Sequence, residues 1–185
     1  MGKWKIKNTR LTYDNPWISV SHHDVITPSG NPGLYGKVHF KNIAVGVIPY
    51  DASKGQLYLV RQFRFVLNQQ SLEIPEGGCL IGKRPLSEAK RELKEETGIV
   101  AKRWEKLLDM HLSNSVTDER AIVYLASELS FGAASPEETE DVRVIKMHWK
   151  KAYQLVLDGK ITDAMTVAAL LRFKLIHMEK RNHGK

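Results

Sequence analysis

The sequence predicts an α/β protein: a mixed sheet sandwiched between helices in an α/β/α arrangement, with a small antiparallel β extension at the N-terminus. Three observations predict it. Strand-like runs fall before and after one strongly patterned central helix, two further helical patterns close the chain, and residues 1–40 hold strands and turns without a helical period. The chain has 185 residues, 42% hydrophobic and 26% charged, which is ordinary globular usage with length enough for one substantial core.

The elements follow in order. Trp17-Ile18-Ser19-Val20-Ser21-His22 alternates in part, and Thr27-Pro28-Ser29-Gly30-Asn31-Pro32-Gly33 is dense with turn formers. Residues 1–40 are therefore expected to form the β extension, a region for dimerisation and a candidate for exchange between subunits. Residues 40–50, rich in Ile and Val, end in Asp51-Ala52-Ser53-Lys54-Gly55, and residues 56–63 complete a hairpin. Gly77, Gly78 and Gly82 are expected to form a loop leading into Pro85, a residue favoured in a first helical turn. Over residues 86–97, Leu86, Ala89 and Leu93 share one helical stripe, and Gly98 supplies the stop. Residues 121–126 and 142–147 read as strands. Trp149, Ala152, Leu155 and Val156 fit a short amphipathic helix ended by Gly159. Thr162 or Asp163 then caps a longer helix carrying Val167, Leu170, Leu171, Leu175 and Met178. The main domain is expected over residues 41–179, with a basic tail at 180–185.

Composition narrows the function. No apolar run approaches the roughly 20 residues that span a bilayer, and the N-terminus has no hydrophobic signal segment, so no membrane partner is expected. The single cysteine, Cys79, precludes an intrachain disulfide and fits a reducing compartment, which makes the cytoplasm the expected location. Much of the net charge of +7 lies at the two ends, in Lys3, Lys5, Lys7, Lys180, Arg181 and Lys185, with Trp4 alone among aromatics interleaved there. Such a pattern suits a small polyphosphate rather than a nucleic acid. Gly77 to Lys83 opens like a P-loop, but Arg84 stands where the magnesium-binding hydroxyl would be. His22 and His23 point to opposite faces of a strand, and Cys79 reads as a loop filler.

The chemistry concentrates in Arg91-Glu92-Leu93-Lys94-Glu95-Glu96-Thr97-Gly98-Ile99. On a helix Glu92 and Glu96 lie one turn apart, Glu95 lies beside them, Glu88 extends the row, and Leu93 and Ala89 face the core. Two unit charges about 6 Å apart repel by roughly 1 to 3 kcal/mol. Hard divalent cations would relieve that, since magnesium takes a few carboxylates together with substrate phosphates. On charges alone, Lys90, Arg91 and Lys94 would equally make this a solvated, ion-paired helix. The glycines before and after it favour the metal site.

Residues 77–99 resemble the Nudix box, G-x5-E-x7-R-E-U-x-E-E-x-G-U with U aliphatic. Gly77, Arg91, Glu92, Leu93, Glu95, Glu96, Gly98 and Ile99 match at the right spacing, and Lys83 replaces the early glutamate. Val60-Arg61-Gln62-Phe63-Arg64 and Leu72-Glu73-Ile74-Pro75-Glu76-Gly77 are similar to the run entering the box in ADP-ribose pyrophosphatases and related nucleoside diphosphate sugar hydrolases. Glu138-Thr139-Glu140-Asp141 and Ile161-Thr162-Asp163-Ala164-Met165-Thr166 resemble later segments of that branch.

The resemblance implies a Nudix fold and a magnesium cofactor, with manganese able to substitute. Glu92 and Glu96 would be the main metal ligands, Glu95 would assist, and the backbone carbonyl of Glu76 and the side chain of Glu140 would add to them. Glu138 would activate water, with Glu95 as the other catalytic candidate. Arg91 would be structural, as would Gly77 and Gly98. Arg64 and Arg61 would meet the diphosphate; three apart on a strand, they face opposite sides, so at most one easily reaches a pocket. Glu73, Trp17 and Tyr35 complete the expected substrate-binding set, the two aromatics as base-stacking candidates against a packing role. ADP-ribose would give AMP and ribose 5-phosphate, and GDP-mannose would give GMP and mannose 1-phosphate. The alternatives are a GDP-mannose-preferring hydrolase, or a catalytically weak ligand-binding or regulatory module, the latter motivated by Lys83.

Overall fold

The computed structural model describes residues 2–135 and 141–182. The N-terminal extension is a three-stranded antiparallel meander of β1 (Lys5–Asp14), β2 (Ile18–Ile26) and β3 (Pro32–Phe40). Asn15 shapes its first turn, its Oδ1 accepting from the Trp17 and Ile18 amides at 2.9 and 2.7 Å. The second turn is tighter than expected. Pro32 and Gly33 already pair with Ile26 and Val25, because Gly30 at φ 91° reverses the chain in fewer residues.

The central sheet contains β4 (Asn42–Asp51), β5 (Gln56–Arg64), β6 (Gln69–Glu73), β7 (Glu76–Leu80), β8 (Ile99–His111), β9 (Arg120–Phe131) and β10 (Arg143–His148). Its order is β10-β5-β4-β9-β8, with β6 on β5 and β7 on β4. β4 and β9 run parallel while the other pairs are antiparallel, so the sheet is mixed.

The β4–β5 hairpin forms as expected but splays after two register pairs, Tyr50 with Leu57 and Asp51 with Gln56. Val60 pairs with Val144 on one edge and Glu73 on the other, and Ala44 likewise has Ala121 and Gly78. The β6–β7 run therefore fills the wedge between β4 and β5, changing neighbour at Ile74 and Pro75. Gly77 and Gly78, expected in a loop, are strand residues paired with Val45 and Ala44. Cys79 is accordingly no loop filler; it is fully buried in the core.

Among the described residues three α-helices cover the sheet: α1 (Pro85–Thr97), α2 (Trp149–Leu157) and α3 (Ala164–Asn182). Strand alternation divides the core between the two faces. Val45, Val47, Tyr58, Ile122 and Tyr124 pack with Ala89 and Leu93 of α1. Ile48, Leu57, Leu59 and Val123 pack with Trp149 of α2 and with Met165, Leu170 and Phe173 of α3. Leu171, Leu175 and Met178, counted among the apolar residues of the last helix, stay exposed on its outer side. The helix runs to Asn182, so the expected tail begins within it.

The extension is joined to the sheet through Asp118. Its carboxylate takes Lys37 Nζ and His39 Nδ1, each at 2.7 Å, and the Phe40 amide at 3.0 Å. Burial would raise this carboxyl, but those bonds outweigh it and hold the group well below the usual carboxylate range. Val38 also bridges to Thr117, and Tyr35 Oη donates to the Ser115 carbonyl at 2.5 Å.

Candidate active site

Helix α1 starts with Pro85 in its first turn and ends at Gly98, whose φ of 69° and amide bond to the Lys94 carbonyl close the last turn. A Cβ on Gly98 would lie 2.3 Å from the Gly132 carbonyl oxygen, so glycine is required there on two counts. Leu93 and Ala89 bury the inner face completely. The row of glutamates is thereby fixed toward β7.

One guanidinium serves three of those carboxylates. Arg91 Nε lies 2.9 Å from Glu88, Nη2 2.5 Å from Glu92 and Nη1 2.5 Å from Glu95. The bond to Glu88, then the charges of Glu92 and Glu95, raise the arginine above its ordinary value. Glu96 faces inward, 3% exposed, and accepts the Glu76 amide at 3.2 Å. A Cβ on Gly77 would lie 2.1 Å from the Glu92 carboxylate, so the bare backbone of β7 is what lets Glu92 lie against it.

The facing wall comes from β5, β6 and the start of α3. Arg64 Nε lies 3.0 Å from both carboxylate oxygens of Glu73, and Nη2 lies 2.5 Å from one of them. Glu73 is 2% exposed and also takes Gln62 Nε2 at 3.1 Å, so it stands behind Arg64 as its anchor. Burial would lower the arginine, but the bond and charge of Glu73 outweigh that and raise it. Arg64 approaches Glu76 at 3.8 Å. Burial, and then the neighbouring Asp163, push the Glu76 carboxyl well above the ordinary range. Burial and Asp163 raise Glu119 as well.

Two adjoining hollows open over these residues. One, of about 530 Å³, is lined by Trp17, Lys41, Asn42, Glu76, Gly77 and Glu92. The other, of about 350 Å³, shares Trp17, Asn42, Glu76 and Gly77 and adds Arg64, Glu119 and Asp163. The structure thus gathers Trp17, Glu76, Gly77, Arg91 and Glu92 around the first hollow and Trp17, Arg64, Glu76 and Gly77 around the second, with Glu73 behind Arg64 and Glu96 against the Glu76 amide. Arg61 is exposed and absent from both hollows; it stands opposite Arg143 on the β10 edge. Tyr35 belongs to a separate hollow on the extension, with Trp4, Ile6 and His23. Glu138 and Glu140 lie outside the described residues, though the Ser135 amide bonds the Glu95 carbonyl at 2.9 Å, so the chain enters that segment beside the glutamate ridge.

Sequence reasoning missed Asn42 and Glu119, and it took Asp163 only as a helix cap. Asp163 does cap, its Oδ2 accepting the Thr166 amide at 2.7 Å. That the capped end abuts Glu76 follows only from the fold.

The donor set fits a hard divalent ion. Among the described residues no three His, Cys, Asp or Glu side chains form a closed metal cage. A row of carboxylate oxygens beside a bare strand suits magnesium or manganese, since such an ion retains waters and takes substrate phosphates for its remaining positions.

Comparisons with known proteins agree with this geometry. The NUDIX domain family matches residues 40–169, and the nucleoside diphosphate sugar hydrolase N-terminal domain family matches residues 4–38. The chain is 36% identical over 160 residues to the ADP-ribose pyrophosphatase of Bacillus subtilis (strain 168), covering 85% of each. It is 30% identical over 173 residues to the methanol dehydrogenase activator of Bacillus methanolicus, covering 92% of each. The crystal structure of an ADP compounds hydrolase superposes with a TM-score of 0.87 over 97% of each chain at 20% identity, a likeness of fold. With the greater part of its length matched and the glutamate ridge of α1 set against Gly77, this chain belongs to the Nudix hydrolase family.

Proposed function

We propose that this protein hydrolyses the pyrophosphate bond of nucleoside diphosphate sugars such as ADP-ribose, releasing a nucleoside monophosphate and a sugar phosphate, with magnesium as cofactor. The observation that carries the reading is that Glu92 of α1 borders one hollow and Arg64 the adjoining one, the two sharing the Glu76–Gly77 strand as their common wall. Glu92, Glu96 and the Glu76 carbonyl would hold the ion, with Glu95 assisting. When bound there, magnesium supplies charge neutralisation for the diphosphate and orientation for the attacking water.

The chain's own residues do the rest. Arg64, held rigid by Glu73, offers a fork to one phosphate. Trp17, 66% exposed at the mouth of both hollows, offers a face to the base. Glu138, or failing it Glu95, takes the proton from water. A panel of ADP-ribose, ADP-glucose, GDP-mannose and UDP-glucose, read by phosphate release with and without magnesium, tests the proposal and would reveal a preference for GDP-mannose. Binding without turnover on every diphosphate would replace it with a ligand-binding or regulatory module, the reading that Lys83 and the likeness to an activator protein favour.

The assembly is a homodimer in this reading. Support comes from the apolar residues that the extension presents to solvent: Trp4, Ile6, Leu11, Tyr13 and Leu34 are each at least half exposed. A cytoplasmic location accords with the substrate class and with the lone cysteine.

A further inference from the structure

The Thr166 hydroxyl lies at the centre of a connection that neither the metal ligands nor the hollows explain. Thr166 is fully buried in the first turn of α3. Its Oγ1 accepts the Ile74 amide at 2.9 Å and donates toward Glu76 Oε1 at 3.4 Å. Ile74 is itself fully buried and falls between β6 and β7, at the step where the strand run changes neighbour. Its N–H has no ladder partner at that step, so without the hydroxyl it would be left unsatisfied in the core. Pro75, next along, lends its carbonyl to the Val47 amide at 2.9 Å. Glu76 follows, and its own amide binds Glu96. A short chain of contacts thus runs from α3 through the hydroxyl and the Ile74–Pro75 step to the backbone that faces the α1 carboxylates.

We infer that Thr166 is a positioning residue: its hydroxyl sets the Ile74–Pro75 step and thereby the placement of the Glu76 main chain opposite Glu92 and Glu96. The inference rests on the proposed metal-dependent hydrolysis and adds to it a residue that touches neither metal nor substrate. Valine matches threonine in shape but not in hydrogen bonding, and serine keeps the hydroxyl while losing the methyl. Thr166→Val is therefore expected to weaken manganese binding, read by electron paramagnetic resonance on the whole protein, by about 10- to 100-fold, the usual effect of losing a partner that orients a ligand. The rate constant for ADP-ribose hydrolysis at limiting manganese should fall in parallel, with KM within about threefold at saturating metal, and Thr166→Ser should restore both.

Wild-type manganese affinity in the folded Val variant, or loss in the Ser variant equal to that in Val, overturns the inference. If the Val variant does not fold, Thr166→Ala, assayed well below its melting temperature, gives the same readings with the same meaning. A wild-type protein that hydrolyses nothing on the panel defeats the proposed function instead, and the manganese measurement still stands as a test of the positioning role.

Discussion

Among individual residues, Glu96 and Glu73 are both buried carboxylates, yet they answer to different partners. Glu96 accepts the Glu76 amide, beside the carbonyl proposed to hold the ion. Glu96→Gln is expected to lower turnover by at least about 100-fold, the scale of losing a charge-stabilising group at a reacting centre. A mutant of near-normal rate in a magnesium-saturated assay would remove Glu96 from the mechanism. In the proposed mechanism Glu73 acts through Arg64, which it grips with both oxygens. For Glu73→Gln the expected signature is a KM raised roughly tenfold, as one charge-assisted contact is lost, with manganese affinity unchanged. Equal damage to both quantities would mean that Glu73 supports the metal half of the site. The motif spacing placed the α1 carboxylates on one face, because a helical period converts directly into a surface. The Arg64–Glu73 fork was not legible, since residues 9 apart meet only after β5 and β6 have paired.

The elements show the same division between local and distant signals. Helix α1 was readable from Pro85 to Gly98 because its start, stripe and stop are all encoded within a few residues. The long strand β8 was not. It is the edge of the sheet and carries Lys102, Arg103, Glu105 and Lys106, charges that blunt an exposed edge and erase the alternation that marks a strand. A bulge between Lys106 and Leu108 disrupts the period further. Strand β7 was mistaken for a loop because its glycines signal turns, whereas here they serve close approach. That use can be tested. Gly77→Ala would place a methyl on the Glu92 carboxylate, and is expected to cost roughly 1–3 kcal/mol of stability and most of the manganese affinity. Thermal melts and metal titration of an unaffected variant would show that the strand and helix do not approach as described.

For the molecule as a whole, the junction and the extension decide what is observed in solution. Asp118 ties β3 to the main domain, and its carboxyl is held low in the folded state. Such a group stabilises the fold fully above its unfolded value, about 3.9, and the contribution is lost as pH falls through the folded value. Asp118→Asn should thus lower the melting temperature near neutrality, by a shift corresponding to about 1 kcal/mol, and the difference from wild type should shrink below about pH 4. A gap that widens in acid would contradict the bonding described. Light scattering at micromolar concentration is expected to give twice the chain mass, and Leu34→Lys, on the open face of the extension, is expected to shift the population toward monomer. A wild-type monomer would refute the dimer.

The wedge in the central sheet also bears on how the protein is made. The Ile74 amide and the Thr166 hydroxyl are 92 positions apart in the chain, so a ribosome finishes the entire glutamate motif well before α3 emerges to seat the strand beneath it. The nascent chain therefore carries every acidic group of the motif before the helix that supplies the Thr166 hydroxyl, and that contact waits on the later segment.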